Sequence, residues 1–138
     1  MPCAISHGMA DEPFECVLAG ILIADYVSKI SREASPLLRF AEVMDIARMT
    51  PNVSEDERHT MAERKLLHDA DVDMTKLENL LDSPMAGKCG LTPGQPRTDV
   101  IRQHMREIRY GISADDFNAT ANAATELRNA LYNMTRGK

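Results

Sequence analysis

The apolar residues recur at three-to-four spacing over most of the chain, and no stretch of four or more residues alternates as a strand would. Six helical segments follow from this period and from the capping residues that punctuate it. The first spans residues 13–30, with Pro13 in the opening turn and Phe14, Val17, Leu18, Ile21 and Leu22 forming a wide apolar face. As the most hydrophobic segment it is expected to lie centrally. Ser35-Pro36 marks a second start, followed by Leu37, Phe40, Ala41, Met44 and Ala47 on one face and ended by Thr50-Pro51. Ser54-Glu55-Asp56-Glu57 is a capping box that opens a polar third helix burying Met61, Leu66, Leu67 and Ala70.

Thr75-Lys76-Leu77-Glu78 repeats the capping box, so a fourth, short helix carrying Leu77, Leu80 and Leu81 is expected after an acidic turn. Residues 83–98 hold three Pro and three Gly without a hydrophobic period and read as a loop. The fifth helix covers 99–110, burying Val100, Ile101, His104 or Met105, and Ile108, with Gly111 as its C-cap. Ser113 and Asp116 cap the sixth, in which Phe117, Ala121, Ala124, Leu127, Leu131 and Met134 face inward and the alanines predict close approach to a neighbour. The expected fold is an all-α, single-domain bundle of five to six helices over 11–138, preceded by an irregular segment, 1–10.

Composition narrows the class. The chain of 138 residues is 43% hydrophobic with 4% aromatics, no Trp and nine Met, which describes an aliphatic, adaptable core. Its longest apolar run, residues 16–24, is far shorter than the ~20 residues of a membrane-spanning helix. The net charge of −5 disfavours nucleic-acid binding. Charge is unevenly spread: residues 1–96 carry nine basic and sixteen acidic side chains, a net −7, whereas 97–138 carry seven and five, a net +2. Cys3, Cys16 and Cys89 are odd in number and form no CxxC, which predicts free thiols in a reducing compartment. No basic leader precedes the first apolar run. The expectation is therefore a chain without a signal peptide, cytoplasmic in the producing cell or delivered from it into a host cell.

Little of the sequence points to catalysis. Asp69-Ala70-Asp71-Val72-Asp73 starts like a calcium loop, but Met74 and Leu80 stand where Gly and Glu are required. His7, His59, His68 and His104 fall in no zinc or di-metal pattern, and nucleotide-binding and hydrolase motifs are missing, so neither metal nor cofactor is expected. One constellation stands out. Arg102, Arg106 and Arg109 share a stripe of the fifth helix, with Arg97 just before it. Such a stripe can grip a carboxylate- or phosphate-bearing protein partner, or pair internally with the acidic helices of residues 55–73.

From Leu66 onward the chain resembles the helical kinase-binding domains of AvrPtoB-like effectors of plant-pathogenic bacteria. The resemblance lies in Leu66-Leu67, Asp71-Val72-Asp73-Met74, Leu80-Leu81, Ile101-Arg102-Gln103-His104, Gly111-Ile112-Ser113 and Glu126-Leu127-Arg128-Asn129-Ala130-Leu131. It implies a helical protein-binding domain of a bacterial effector. Residues 83–98 depart from the pattern, lacking the apolar side chains that such domains offer to a kinase. Ser35-Pro36-Leu37-Leu38-Arg39 is similar to the G-x-L-R arginine-finger motif of bacterial Rho GTPase-activating effectors, without its Gly. The leading expectation is a non-enzymatic protein-interaction module. The alternatives are a GTPase-activating effector using Arg39 and a small acidic immunity or adaptor protein.

Overall fold

The computed structural model describes residues 14–91 and 94–135, so the expected irregular segment 1–10 and the Pro13 helix start lie outside it. Among the described residues six helices follow one another: α1 (Phe14–Glu33), α2 (Pro36–Met49), α3 (Glu55–Leu81), α4 (Pro84–Lys88), α5 (Pro96–Ser113) and α6 (Phe117–Thr135). There is no strand among the described residues, and no described helix is long and apolar enough to cross a membrane.

Helix α3 is the column of the bundle. It runs unbroken through the stretch expected to hold an acidic turn, because Ala62, Leu66, Ala70, Met74, Leu77 and Leu81 stay in phase on one buried face and neither Gly nor Pro interrupts them. Thr75 does not cap a new helix. Its hydroxyl donates back to the Asp71 carbonyl at 3.1 Å, one turn earlier. The Asp69–Asp73 stretch is thus helix interior rather than a turn.

Around the C-terminal half of α3, helices α1, α5 and α6 close the main core, whose members include Ile23, Val27, Ile30, Met74, Leu77, Ile101, Ile108 and Leu127. A smaller cluster of Leu66, Leu67 and Phe117 lies at the N-terminal half, with Leu38 of α2 packed on it. Truncating a fully buried Leu such as Leu77 or Leu127 to Ala costs about 2–5 kcal/mol in settings of this kind.

The caps at Ser35, Ser54 and Ser83 accept from Leu38, Glu57 and Ala86 backbone N–H groups at 3.1, 3.2 and 3.3 Å. Asp116, not Ser113, caps α6 by accepting from Ala119 N–H at 3.0 Å. Gly111 is no C-cap. It sits inside α5, where an added Cβ would come within 2.5 Å of Thr120 Oγ1 and 2.8 Å of the Thr120 backbone nitrogen. With Ala121, Ala123 and Ala124 buried nearby on α6, the glycine lets the two helices approach closely.

Two further expectations are overturned. Residues 83–98 are not all loop: Pro84–Lys88 forms a short Ser83-capped helix and α5 already begins at Pro96. Gly90, at φ +79, makes the left-handed turn that lets Leu91 N–H return to the Ala86 carbonyl at 3.0 Å. Nor are Cys16 and Cys89 free thiols. They are joined in a disulfide that ties α1 to the end of α4 across 73 positions of sequence. Spacing alone could not reveal it, because the pairing depends on where α4 docks.

A loop of that length limits the unfolded chain enough to contribute about 4 kcal/mol. Thiol titration of the unfolded, non-reduced protein should find at most one reactive cysteine, rising to three after reduction, with a marked fall in the denaturation midpoint. Three thiols without reductant would contradict the pairing.

Candidate functional site

The C-terminal half of α3 and the facing surface of α5 bring acidic and basic side chains together. Five carboxylates, those of Asp69, Asp71, Asp73, Glu78 and Asp82, run along or just beyond α3, whose last turn contains no basic residue. Glu78 and Asp82 stand at the helix C-terminus, where negative charge opposes the helix dipole, and the aspartates before them add like-charge repulsion, so these groups need partners. Arg109 supplies the largest share. Its Nη2 and Nε grip the two Glu78 oxygens at 2.7 and 3.1 Å, Nη2 also donates to Thr75 Oγ1 at 2.9 Å, and Nη1 bonds Asp71. Arg102 donates to Asp82 at 2.8 Å, and Lys65 pairs with Asp69 at 3.3 Å.

Two of the four arginines that the sequence singles out therefore face inward, onto α3. Arg106 is exposed and donates to Gln103 Oε1 at 2.6 Å on its own helix. Arg97 is exposed at the start of α5, at the rim of a cavity of about 250 Å³ lined by Cys16, Gly20, Ile23, Cys89, Ile101 and Leu131. The disulfide forms one wall of this cavity. Arg39 is not outstretched either: it donates to Glu63 at 2.8 Å and lies 5.0 Å above the Phe117 ring.

The fifth carboxylate, Asp73, is buried and meets Glu33 of α1, which is hydrogen-bonded to it. Glu33 Oε1 is itself buried without a hydrogen-bond partner. Desolvation first, then the hydrogen bond to Asp73 and the charges of Asp73 and Asp69, push the Glu33 carboxyl up to about 8 against a partial offset from Arg32. Glu33 thus keeps its proton at neutral pH and donates it to Asp73, so the pair carries one negative charge instead of two.

The apolar surface is the feature that sequence reasoning misplaced. The face of α2 expected to enter the core, Leu37, Phe40, Ala41 and Met44, stands in solvent: Leu37 is 79%, Phe40 63% and Met44 48% exposed. Instead α2 turns Leu38, Val43 and Ile46 inward, alongside the Arg39–Glu63 and Lys65–Glu42 ion pairs. Phe14, Val17 and Ile21 of α1 are likewise exposed, because α1 buries Ala19, Ile23, Val27 and Ile30. The most hydrophobic helix is therefore not enclosed. Met61 and Val100, also expected inside, are partly exposed. Both α1 and α2 carry two apolar stripes, and a single-helix period cannot say which one the neighbour covers.

No protein-family model, curated protein or solved structure matches the chain.

The Glu33–Asp73 pair gives stability a definite pH slope. Below about pH 4.5 Glu33 is protonated whether the chain is folded or not. Between there and about 8 only the folded chain holds the proton, so stability falls as pH rises through this window. Glu33→Gln keeps a donor to Asp73 and cannot titrate. Its melting temperature relative to wild type should climb between pH 5 and pH 8, and parallel profiles would contradict the assignment.

Proposed function

We propose that the chain is a non-enzymatic protein-interaction module whose partner docks on the exposed apolar face of α2. The observation that carries this reading is the stripe Leu37, Phe40, Ala41 and Met44, left in solvent at i, i+3, i+4 and i+7 on a helix whose other face is already packed. Isolated exposed apolar residues are ordinary, but an ordered apolar stripe on one helix is the surface that helix-recognition grooves read. The outward Arg97 and Arg106 remain available to a carboxylate- or phosphate-bearing partner, whereas Arg102 and Arg109 would first have to leave Asp82 and Glu78.

The resemblance to AvrPtoB-like domains supports placing this module in a bacterial effector. Disulfides persist in oxidising surroundings, so the Cys16–Cys89 bond favours export from the producing cell over permanent residence in a reducing cytoplasm. A GTPase-activating role gains no support from Arg39. A finger must reach into another protein's phosphoryl site, and Arg39 is occupied by Glu63 and Phe117.

The test is quantitative affinity purification with wild type, a Leu37→Glu/Phe40→Glu variant and a Val72→Lys control on exposed α3. Both variants should remain folded, since exposed substitutions typically shift stability by no more than about 0.5 kcal/mol each. Partners retained by wild type and Val72→Lys should be lost from the α2 variant. Identical partner sets for all three proteins would remove the α2 face from consideration.

A further inference from the structure

The α5–α6 hairpin carries a second polar cluster, separate from the arginine contacts to α3. His104 and Glu107 stand one turn apart on α5, and Glu126 faces them from α6. One ligand atom from each, the imidazole nitrogen and an oxygen of each carboxylate, lie within 4.8 Å of one another. Nδ1 of His104 is 3.2 Å from Glu107 Oε1 and 4.0 Å from Glu126 Oε1. Atoms sharing one zinc-sized ion at about 2.0–2.2 Å sit roughly 3–3.5 Å apart. The first separation already fits, and the second closes with a small movement of Glu126, an exposed side chain free of packing constraints.

We propose that His104, Glu107 and Glu126 form a three-ligand site for a zinc-class divalent cation, joining α5 to α6. The donor set decides the class: one imidazole with two carboxylates suits zinc, cobalt or manganese, while thiolate-seeking copper(I) and all-oxygen calcium are poorly matched. The surroundings help. Gln103 Nε2 donates to Glu107 Oε2 at 3.3 Å, fixing the carboxylate that His104 also touches.

Three protein ligands leave positions open. Glu107 and Glu126 also wall a cleft of about 470 Å³ that Arg106, Tyr110 and Asn122 help to line. A ligand completing the ion's shell from that cleft would meet the Arg106 guanidinium, which favours an anionic oxygen donor. The site does not depend on the docking reading of α2. Helical spacing within one segment gave no sign of it, because Glu126 comes from a different helix.

The test is calorimetric titration of Zn(II), and of Co(II) followed by visible absorption, into oxidised protein carrying Cys3→Ser and His7→Ala, which removes the thiol and the imidazole of the N-terminal segment. One ion per chain should bind saturably. His104→Ala should weaken binding at least about tenfold, Glu126→Gln should weaken it measurably, and His59→Ala should leave it unchanged. Glu126 is exposed, so a loss in its variant cannot be ascribed to unfolding, and circular dichroism checks the same for His104→Ala. Absence of saturable binding, or binding indifferent to His104 and Glu126, would show that the three groups form only a local ion pair and overturn the site.

Discussion

A helix that ends on carboxylates works against its own dipole, and α3 ends on Glu78 and Asp82 with Asp69, Asp71 and Asp73 crowding like charge onto the turns before them. Isolated, that segment would favour the break that its Thr75-Lys76-Leu77-Glu78 pattern suggests. In the folded chain each negative group is answered: Asp69 by Lys65, Asp71 and Glu78 by Arg109, Asp82 by Arg102 and Asp73 by protonated Glu33. Charge compensation from α5 and α1 lets the apolar face from Ala62 to Leu81 continue without interruption. The core then assembles against that one face.

The consequences spread outward from this column. Because α3 continues for 27 residues, α1 docks along its C-terminal half and α2 along its N-terminal half. Neither flanking helix is then covered on its outer side, which leaves Phe14, Val17 and Ile21 on one and Leu37, Phe40 and Met44 on the other in solvent. The cations that looked like a binding stripe are largely drawn inward, while the apolar residues that looked like core are turned outward. That exchange moves the proposed recognition surface from α5 to α2. The α5–α6 hairpin, held close by Gly111 against Thr120, supports the His104, Glu107 and Glu126 cluster on its exposed side.

The parts of this arrangement that local sequence encodes were legible. Ser35, Ser54 and Asp116 act as caps, and the inward faces of α5 and α6 follow their three-to-four spacing through Ile101, Met105, Ile108, Phe117, Ala124 and Leu127. What depends on long-range placement was not. Thr75 carries a sound capping signal that tertiary packing overrides. In α2 the stripes Leu37–Phe40–Met44 and Leu38–Val43–Ile46 are both apolar, so their phase is set by α3. The arginine stripe was visible, but the acids that claim Arg102 and Arg109 lie 20 to 38 positions away. Cys16 and Cys89 meet only because α4 forms and docks against α1.

The whole arrangement requires α3 to be one continuous helix through its acidic stretch. Residue-resolved amide hydrogen exchange on the oxidised protein near neutral pH tests it most directly. The amides of residues 71–77 should exchange as slowly as those of residues 66–70, since all belong to the same buried, hydrogen-bonded column. Fast exchange confined to residues 71–75, flanked by protected segments, would mean that α3 is two helices and would contradict the structure's organising feature.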